Sequence, residues 1–478
     1  MQTGLEEQLG PYQKRIPIVT RSIKGRFRNF KTAVLISAYA VFFLLPWLPW
    51  SRPDAPSQAV LFDIPARRFL MFGLTAYPQD IVWLALLLFI AALLLFFVTG
   101  LVGRAFCGYF CFQTLWTDFF IWIERMLQGE RPARIRLYRQ PWDGEKILKV
   151  GGTHALWLAA SFWTALTFVL YFAYAPDLLG RFFLGRAEQA AYLTVGILTV
   201  TTYAAAGWMR EQICTYICPY GRFQSVMYAP QTLAVHYDTR RGENTQGRAV
   251  ARPGLRTRDE RHAQGHGDCV DCGLCVQVCP AGIDIREGLQ YKCISCGLCI
   301  DACNSIMDSF QFPRGLIRYD AEVNLAKAES ASPKLHWKRL NIIGYGVGLV
   351  VMSGFLAYSI ASRQSFDSTV SQIRQPLYVV MSNGDIRNRY QIHLTNKMSQ
   401  AVRYQIDTTG LPEGALDLGN FRQLQLPAGH SALVQANIRL SAQQAAKTRR
   451  FQFRITPLYT AAKSQVEEVH FDKPEFAR

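Results

Sequence analysis

The sequence is poor in charged residues. Only 18% of its 478 residues are Asp, Glu, Lys or Arg, whereas ordinary soluble proteins carry about 25%. This deficit indicates a membrane protein. Apolar residues are plentiful, since 50% of the chain is hydrophobic, and this excludes disorder as the main state. Twelve cysteines are too few, in a chain of this length, for a small disulfide scaffold.

Five stretches of the chain lack any charged side chain and are close to the length of about 20 apolar residues that a membrane span needs. They are Thr32–Trp50, Ile81–Val102, Ala155–Ala175, Ala190–Met209 and Leu340–Ala361. One such stretch can be a buried core helix, but five in one chain favour membrane spans. The mixed charges of residues 239–267 indicate a flexible linker and give no support for binding of nucleic acid.

The distribution of basic residues predicts the orientation of these spans. The Lys and Arg residues number seven in 1–31, three in 51–80, eight in 103–154 and two in 176–189. The long segment 210–339 holds sixteen or seventeen, depending on whether the fourth span ends before or after Arg210. Basic loops stay on the cytoplasmic side of a membrane. The N-terminus and the two other basic segments are therefore expected in the cytoplasm, and the chain after the fifth span on the opposite side of the membrane.

Eight of the twelve cysteines form two consecutive runs of the same spacing. The runs are Cys269-x2-Cys272-x2-Cys275-x3-Cys279-Pro280 and Cys293-x2-Cys296-x2-Cys299-x3-Cys303-Asn304. This spacing is typical of a ferredoxin with two [4Fe–4S] clusters, in which the fourth cysteine of each run binds the other cluster. One predicted cluster therefore takes Cys269, Cys272, Cys275 and Cys303, and the other takes Cys293, Cys296, Cys299 and Cys279.

Zinc is the alternative occupant, since CxxC pairs also bind zinc, but two complete runs in succession favour clusters. Gly273 and Gly297 occupy the same place in each run and suit a tight loop around a cluster. Clusters need reduced thiols, which the cytoplasm supplies. Two neighbouring clusters indicate transfer of single electrons beside a membrane.

The other four cysteines form two CxxxC motifs, each directly after a span. Cys107 and Cys111 follow the second span, and Cys214 and Cys218 follow the fourth. A spacing of four places both sulfurs of a pair on one face of a helix. Such pairs suit Cu(I), a thiol/disulfide couple, or one four-sulfur site across the repeat; inert packing is the other interpretation.

Two further features concern single residues near these motifs. Arg104, Arg210 and Arg222 lie close to the cysteine pairs, where cations would lower the pKa of the thiols, although basic anchoring at the membrane explains them too. His154 begins the third predicted span. It is interpreted as a polar residue at the span end, with metal or haem ligation as the alternative.

The C-terminal part of the chain has a different pattern. Apolar and polar residues alternate in YQIHLTN, VRYQIDT, SALVQANIRL and RRFQFRITPL, separated by glycine- and proline-containing turns. This pattern predicts short strands and an immunoglobulin-like sandwich. The segment has no cysteine, so a disulfide is excluded there. Contact with a partner and passive stabilisation are both open roles.

Together these features predict a multidomain membrane protein of the bacterial inner membrane. It comprises a five-span α-helical bundle, a cytoplasmic two-cluster ferredoxin-like domain and a C-terminal all-β immunoglobulin-like domain in the periplasm. The predicted boundaries are 1–31 for the basic N-terminus, 32–238 for four spans with the CxxxC loci, 239–267 for the linker, 268–320 for the ferredoxin-like domain, 340–361 for the fifth span, and 376–478 for the β domain.

The order of motifs resembles a known family. It runs span, CGYFCFQTLWTD, two spans, CTYICPYGRFQSVM, double ferredoxin motif, span and β domain. This order resembles the CcoG/FixG/RdxA family, accessory proteins of the cbb3-type cytochrome c oxidase, over nearly the whole chain from Ile23. Related quinol-oxidising ferredoxin proteins carry CxxxCP at both loci. Here Phe112 replaces the first proline and Pro219 keeps the second, so the two pairs need not be equivalent.

The resemblance implies a membrane-bound cupric reductase, which makes Cu(I) for assembly of the oxidase. It assigns the clusters to the eight ferredoxin cysteines, and copper or its electrons to Cys107, Cys111, Cys214 and Cys218. Implied partners are the oxidase or its copper-delivery proteins and an unidentified cytoplasmic electron donor; a homodimer stays open. The alternatives are a quinol-linked electron-transfer subunit that feeds a reductase, and a non-enzymatic assembly scaffold or redox sensor.

Overall fold

The structure is a computed structural model that describes residues 18–52, 56–326, 335–398, 400–419, 423–458 and 463–474, apart from the side chains of Gln79, Arg222 and Ser225. Most of the predicted basic N-terminus therefore lies outside the described residues. The chain divides into two compact units, Met1–Trp47 with Ala85–Ser353, and Leu48–Leu84 with Gly354–Arg478.

Five helices are long and apolar enough to cross a membrane, which confirms the predicted number among the described residues. They are Arg26–Trp47, Ile81–Val102, Gly144–Leu170, Gln189–Met209 and Leu340–Ala361. The second and fifth match the predicted bounds. The third begins eleven residues before the predicted Ala155, at an N-cap where Asp143 accepts a hydrogen bond from the backbone of Lys146. Hydropathy detects only the apolar part of that helix, so the prediction began too late.

The segment between the second and third spans folds into helices that hydropathy does not reveal. They are Ala105–Tyr109, Phe112–Gln128 and Arg131–Arg139. The helix Phe112–Gln128 is amphipathic and packs on the third span, where the rings of Phe120 and Trp157 stack with centroids 5.4 Å apart. The indole of Trp157 also donates a hydrogen bond to the carbonyl of Phe120.

The fourth span changes its helical geometry before it reaches the second CxxxC locus. It is α-helical over Gln189–Thr202, and π-helical segments follow at Tyr203–Met209 and Ile213–Ile217. Arg210 interrupts the two with a φ of 42°, which is a strained angle for a residue with a side chain. Glu124 forms ion pairs with both Arg210 and the fully buried Arg134, so it holds this break in place. π-helical turns often mark functional sites.

The ferredoxin-like domain begins earlier than the predicted residue 268. Strand Ala234–Tyr237 pairs antiparallel with strand Ile317–Asp320 and closes the domain around its two short helices, Leu274–Gln277 and Leu298–Ser309. Gly273 and Gly297 cap these helices at φ of 65° and 71°. This left-handed geometry favours glycine and confirms that both positions form tight turns.

The segment 239–267 is ordered, which corrects the prediction of a flexible linker. It contains the helices Thr239–Glu243 and Arg258–Ala263. Arg261 is fully buried and donates hydrogen bonds to four backbone carbonyls, including that of Cys269. A polar composition cannot distinguish a solvated linker from a loop that one buried guanidinium holds together.

The second unit contains the predicted β sandwich, which begins at Phe366, ten residues before the expected boundary. One sheet contains Phe366–Gln372, Val379–Val380, Ile386–Asn396, Leu416–Asp417 and Ser431–Leu440; the other contains Val402–Thr409, Gln423–Leu426, Arg450–Leu458 and Gln465–His470. The short helix Ala442–Lys447 follows the last strand of the first sheet. All four predicted alternating runs are strands. Their inward residues, such as Ile392, Tyr404 and Phe453, form a fully buried core.

The same unit includes a small sheet that the sequence did not predict. Its strands are Val60–Asp63, Arg68–Met71 and Leu74–Ala76, paired antiparallel. Asp80 follows these strands in the sequence, and its carboxylate forms an ion pair with the guanidinium of Arg363, with an N···O distance of 2.9 Å. The loop after the first span therefore belongs to the β domain's unit.

Candidate metal centres

The eight ferredoxin cysteines line two cavities in the grouping that the sequence predicts. One cavity is lined by Cys269, Cys272, Cys275 and Cys303. The other is lined by Cys279, Cys293, Cys296 and Cys299, and Cys275 also reaches it. The remaining walls are mainly apolar, with Leu274 and Ile317 in the first and Ile283 and Ile285 in the second. Four thiols around each apolar cavity fit a [4Fe–4S] cluster.

The CxxxC motifs are not continuous helices, so the prediction that each pair lies on one helical face is wrong. Cys107 lies in the short helix Ala105–Tyr109, whereas Cys111 is extended, with ψ of 127°, and caps the next helix. Cys214 lies in the π-helical segment, and Cys218 is extended with ψ of 113°. A residue before proline avoids the helical region, which explains Cys218. The first locus adopts the same shape without a proline.

The structure brings both pairs together within one chain. Cys107 lies within electrostatic range of Cys111, Cys214 and Cys218, and Cys214 lies within range of Cys111 and Cys218. We call these four residues the four-cysteine site. A second chain is therefore not needed to bring the pairs together. Among the residues that the structure describes, no three Cys, His, Asp or Glu side chains converge closely enough to chelate one metal ion.

Burial dominates the electrostatics of the four-cysteine site. It raises the pKa of Cys107 to about 12 and that of Cys214 to about 11, with a further rise from the neighbouring cysteines. Arg104 opposes this rise at both thiols but does not outweigh it. The expected effect of a nearby arginine is therefore present at both thiols, but the net shift of their pKa is upward because burial is the larger effect. The side chain of Arg222 lies outside the described structure.

Arg104 connects the four-cysteine site to the second ferredoxin cavity. It is 5% exposed. Its guanidinium donates hydrogen bonds to the carbonyl of Tyr291, in the ferredoxin domain, and to that of Gly221, in the helix after Cys218. It also lies 4.8 Å from the centroid of the Tyr291 ring. One buried cation thus holds together the end of the second span and both cysteine-bearing segments.

Gly108 allows the first CxxxC locus to pack directly on the second ferredoxin run. A Cβ at this position would lie 2.7 Å from the carbonyl oxygen of Ile294 and 3.0 Å from the Cα of Cys296. The hydroxyl of neighbouring Tyr109 donates a hydrogen bond of 2.8 Å to the carbonyl of Cys296. The four-cysteine site and the second cluster cavity therefore meet through backbone contact.

Polar side chains surround Cys107 on the other side. Its Sγ lies 3.5 Å from Oε1 of Gln224, which is fully buried. Nε2 of the same amide is buried without a hydrogen-bond partner. Tyr220, one turn earlier, shares a hydrogen bond of 2.6 Å with Thr99 at the end of the second span. The sequence analysis did not single out Gln224, although a glutamine follows the CxxxC motif at both loci, in CGYFCFQTLWTD and in CTYICPYGRFQSVM.

Two cavities border this region. A small one, of about 50 Å³, is lined by Cys214, Arg104 and the buried Lys31 and Asp118, among others. A larger one, of about 280 Å³, lies beside Cys293, Tyr228 and Glu322. Cys214 therefore lines the smaller of these two cavities, and Cys293 lines the larger.

Comparison with known proteins covers the same regions. A family model described as a 4Fe-4S dicluster domain matches residues 209–322, and one described as the IG-like fold at the C-terminal of FixG matches 356–474. Protein RdxB of Cereibacter sphaeroides is 42% identical over 85% of this chain and 85% of its own length. Protein RdxA of the same organism is 40% identical over 91% of each chain. The nitrogen fixation protein FixG of Rhizobium meliloti is 39% identical over 85% of this chain and 82% of its own.

The chain belongs to the FixG/RdxA family. Its membership confirms the predicted family and the presence of iron–sulfur domains. A third family model, described as a 4Fe-4S binding domain, matches residues 84–129 of this FixG-family chain. That range contains only two cysteines, Cys107 and Cys111. The model that begins at residue 209 includes the second CxxxC pair together with the eight ferredoxin cysteines.

His154 does not join the metal centres of this FixG-family chain. It lies well inside the third helix, and its Nδ1 shares a hydrogen bond of 3.0 Å with the hydroxyl of Tyr203. Its ring packs on Trp157 and Trp208, with centroids 5.1 and 5.9 Å away. This environment supports a packing role, although the residue is not at the helix end as predicted.

Proposed function

We propose that this FixG-family chain is a membrane-bound electron-transfer protein that reduces Cu(II) to Cu(I) for assembly of a cbb3-type cytochrome c oxidase. The observation that carries this proposal is the backbone contact between Gly108 and the loop of Cys296. This contact joins the four-cysteine site to the second cluster cavity without an intervening side chain. Electrons can therefore reach cysteines at the membrane face from the ferredoxin domain.

The residue roles follow from the arrangement. Cys269, Cys272, Cys275 and Cys303 would hold one cluster, and Cys279, Cys293, Cys296 and Cys299 the other. When bound, such clusters accept and release one electron at a time. Cys275 lines both cavities, which makes it the connection between them. Each Cu(II) takes up one electron, and a reduced cytoplasmic carrier supplies it.

The four-cysteine site is the proposed exit for these electrons. Cys107, Cys111, Cys214 and Cys218 would hand electrons to copper or hold it, because soft sulfur ligands favour Cu(I) over Cu(II). The small cavity at Cys214 is the proposed approach for copper. Its volume of about 50 Å³ is well below the roughly 150 Å³ of an enclosed cavity that admits benzene, so its size suits an ion better than a quinone ring.

The surroundings of these sites support the proposed orientation. The basic segments that contain the clusters and the CxxxC loci would face the cytoplasm of a bacterial inner membrane, and the β domain would face the periplasm. The β domain would then contact the oxidase or a copper-delivery protein. The reduced cytoplasm also keeps cluster ligands as thiols.

A quinol-linked electron-transfer role is the second candidate. The cavity of about 280 Å³ beside Cys293 is large enough for a quinone ring. In that case quinol would reduce the second cluster, and copper would have no part. The same cavity can instead admit the edge of a cytoplasmic electron carrier, which the copper proposal requires.

Anaerobic copper reduction by the purified, cluster-loaded chain tests the proposal. A chromogenic Cu(I) chelator reports the product, and the protein is pre-reduced and freed of excess reductant. We expect reduction by wild type and its loss in the variant C107S/C111S/C214S/C218S. Tyr216→Phe is the matched control, because Tyr216 lies between two of the cysteines and is 57% exposed. Equal reduction by all three proteins would refute the role of the four-cysteine site.

The alternatives are separated in the same preparation. Oxidation of a short-chain quinol with cluster reduction, and no Cu(I) formation, would establish the quinol-linked role. Binding to the oxidase that is unaffected by loss of the clusters, again without Cu(I) formation, would establish a scaffold.

A further inference from the structure

We propose that Cys107, Cys111, Cys214 and Cys218 hold a third iron–sulfur cluster, of [4Fe–4S] type. This inference deepens the electron-transfer role proposed above and rests on it, but assigns the four-cysteine site a resident cofactor. Copper would then receive its electrons from this site instead of being bound by all four sulfurs.

The first support is the arrangement of the sulfurs. The four-cysteine site gathers thiols from two distant loci, and Cys107 and Cys214 each lie within electrostatic range of the other three. In the ferredoxin sets, Cys299 and Cys303 likewise have cysteine neighbours from the other run. None of these sets, within the described residues, converges to the spacing of a single chelated ion. Four cysteines are the usual ligand set of [4Fe–4S] clusters. The four-cysteine site therefore has the same number of cysteine ligands as each of the two ferredoxin sites.

The second support is the direction of two helices. Phe112–Gln128 starts directly after Cys111, and Pro219–Met227 starts directly after Cys218. Helix N-termini carry partial positive charge and free backbone N–H groups, which favour anions. A cluster with four thiolate ligands carries net negative charge. Both helices therefore present their positive ends to the proposed cluster, and the buried cation of Arg104 adds to them.

The third support is a buried polar group that has no partner. Nε2 of Gln224 is buried without an acceptor, while the other end of this fully buried amide lies 3.5 Å from the sulfur of Cys107. A buried donor without an acceptor costs about 1–3 kcal/mol. With the amide turned end for end, Nε2 would face Cys107, and a thiolate or cluster sulfide there would supply that acceptor. Hydrogen bonds of this kind tune the potential of iron–sulfur clusters.

The fourth support comes from the family comparison. The range 84–129 matches a 4Fe-4S binding domain and contains only Cys107 and Cys111. Two cysteines are half of a cluster's ligands, and the structure supplies the other two from Cys214 and Cys218. Assembly of the cluster displaces four thiol protons and requires no change in the cysteine oxidation state.

Iron and sulfide analysis of the full chain tests the inference. Wild type, purified anaerobically and reconstituted, is expected to hold about 12 iron ions per chain, against about 8 for two clusters. C107S/C111S/C214S/C218S should fall to about 8 and keep the EPR signals of the ferredoxin clusters. Tyr216→Phe should keep about 12. A wild type with about 8 iron ions, or with copper in place of the missing iron, overturns the inference.

A second variant covers the case in which the four-serine protein does not fold. Gln224→Leu removes the amide donor and keeps the four cysteines. We expect the midpoint potential of one cluster to fall and those of the other two to stay at wild-type values, because loss of a hydrogen bond to sulfur destabilises the reduced cluster. Three unchanged potentials, or only two titrating clusters in wild type, would overturn the inference.

These measurements separate this inference from the copper proposal. A protein with about 12 iron ions per chain that forms no Cu(I) keeps the third cluster and refutes copper reduction. A protein with about 8 that forms Cu(I) only when the four cysteines are present does the reverse.

Discussion

Replacement of Gly108 by alanine probes the contact between the four-cysteine site and the ferredoxin domain. The added Cβ would lie 2.7 Å from the carbonyl oxygen of Ile294, whereas nonbonded heavy atoms pack at about 3.5–4.0 Å. The second ferredoxin run must therefore withdraw by roughly 1 Å. Overpacking of this kind costs about 1–3 kcal/mol. This cost corresponds to a roughly 5- to 150-fold rise in the equilibrium constant for opening of the contact.

Hydrogen exchange of the Cys293–Cys299 loop measures this opening. Gly108→Ala should lose protection there and slow the reoxidation of the clusters by Cu(II), with its iron content unchanged. Gly151→Ala is the matched control, because a Cβ at Gly151, in the third span, meets no atom within 4 Å. Alanine in a helix interior is favoured over glycine by about 0.5–1 kcal/mol. Equal protection and equal reoxidation in the two variants would refute the packing argument.

Three further substitutions test the buried charges. Glu124→Gln leaves the buried Arg134 and the half-buried Arg210 with a weaker partner. It should lower stability by about 3–5 kcal/mol, seen as a drop in the thermal unfolding midpoint. Glu145→Gln, in an exposed ion pair, should change stability by less than about 0.5 kcal/mol. Arg104→Gln should lower the midpoint potentials of the neighbouring clusters, because a buried positive charge is removed, while Arg136→Gln at the exposed face of its helix should leave them unchanged. Arg261→Leu strips four carbonyls of their donor and should release iron from the first ferredoxin site on mild heating; iron retention equal to wild type would contradict this.

The spans, the strands and the grouping of the ferredoxin cysteines follow from local patterns. Runs without charge, period-two alternation and the C-x2-C-x2-C-x3-C spacing each depend on neighbouring residues, so the sequence alone predicts them. The second span, Ile81–Val102, and the fifth, Leu340–Ala361, match to the residue. The two CxxxC loci are far apart in the sequence, so local patterns do not predict that they meet. A shared four-sulfur site was therefore only one of several interpretations.

Each prediction that failed relied on one physical effect and left out a second effect that opposes it. The i, i+4 argument for Cys214 and Cys218 ignored Pro219, which forces the residue before it out of the helix. Basic anchoring at the membrane was one interpretation of Arg104, but its guanidinium is buried and donates hydrogen bonds to backbone carbonyls. Proximity to arginine was expected to lower the thiol pKa, but burial of Cys107 outweighs it. These outcomes depend on which groups lose contact with water, and spacing does not encode that.

The central claim is that electrons leave the ferredoxin domain through the four-cysteine site to Cu(II). Freeze-quench EPR of the pre-reduced chain, mixed with Cu(II), tests it most directly. The account predicts that the signals of the two ferredoxin clusters decay quickly in wild type and Tyr216→Phe, and persist in C107S/C111S/C214S/C218S with its ferredoxin clusters intact. Decay at the same rate in all three proteins would contradict it, because copper would then take electrons from the ferredoxin clusters directly.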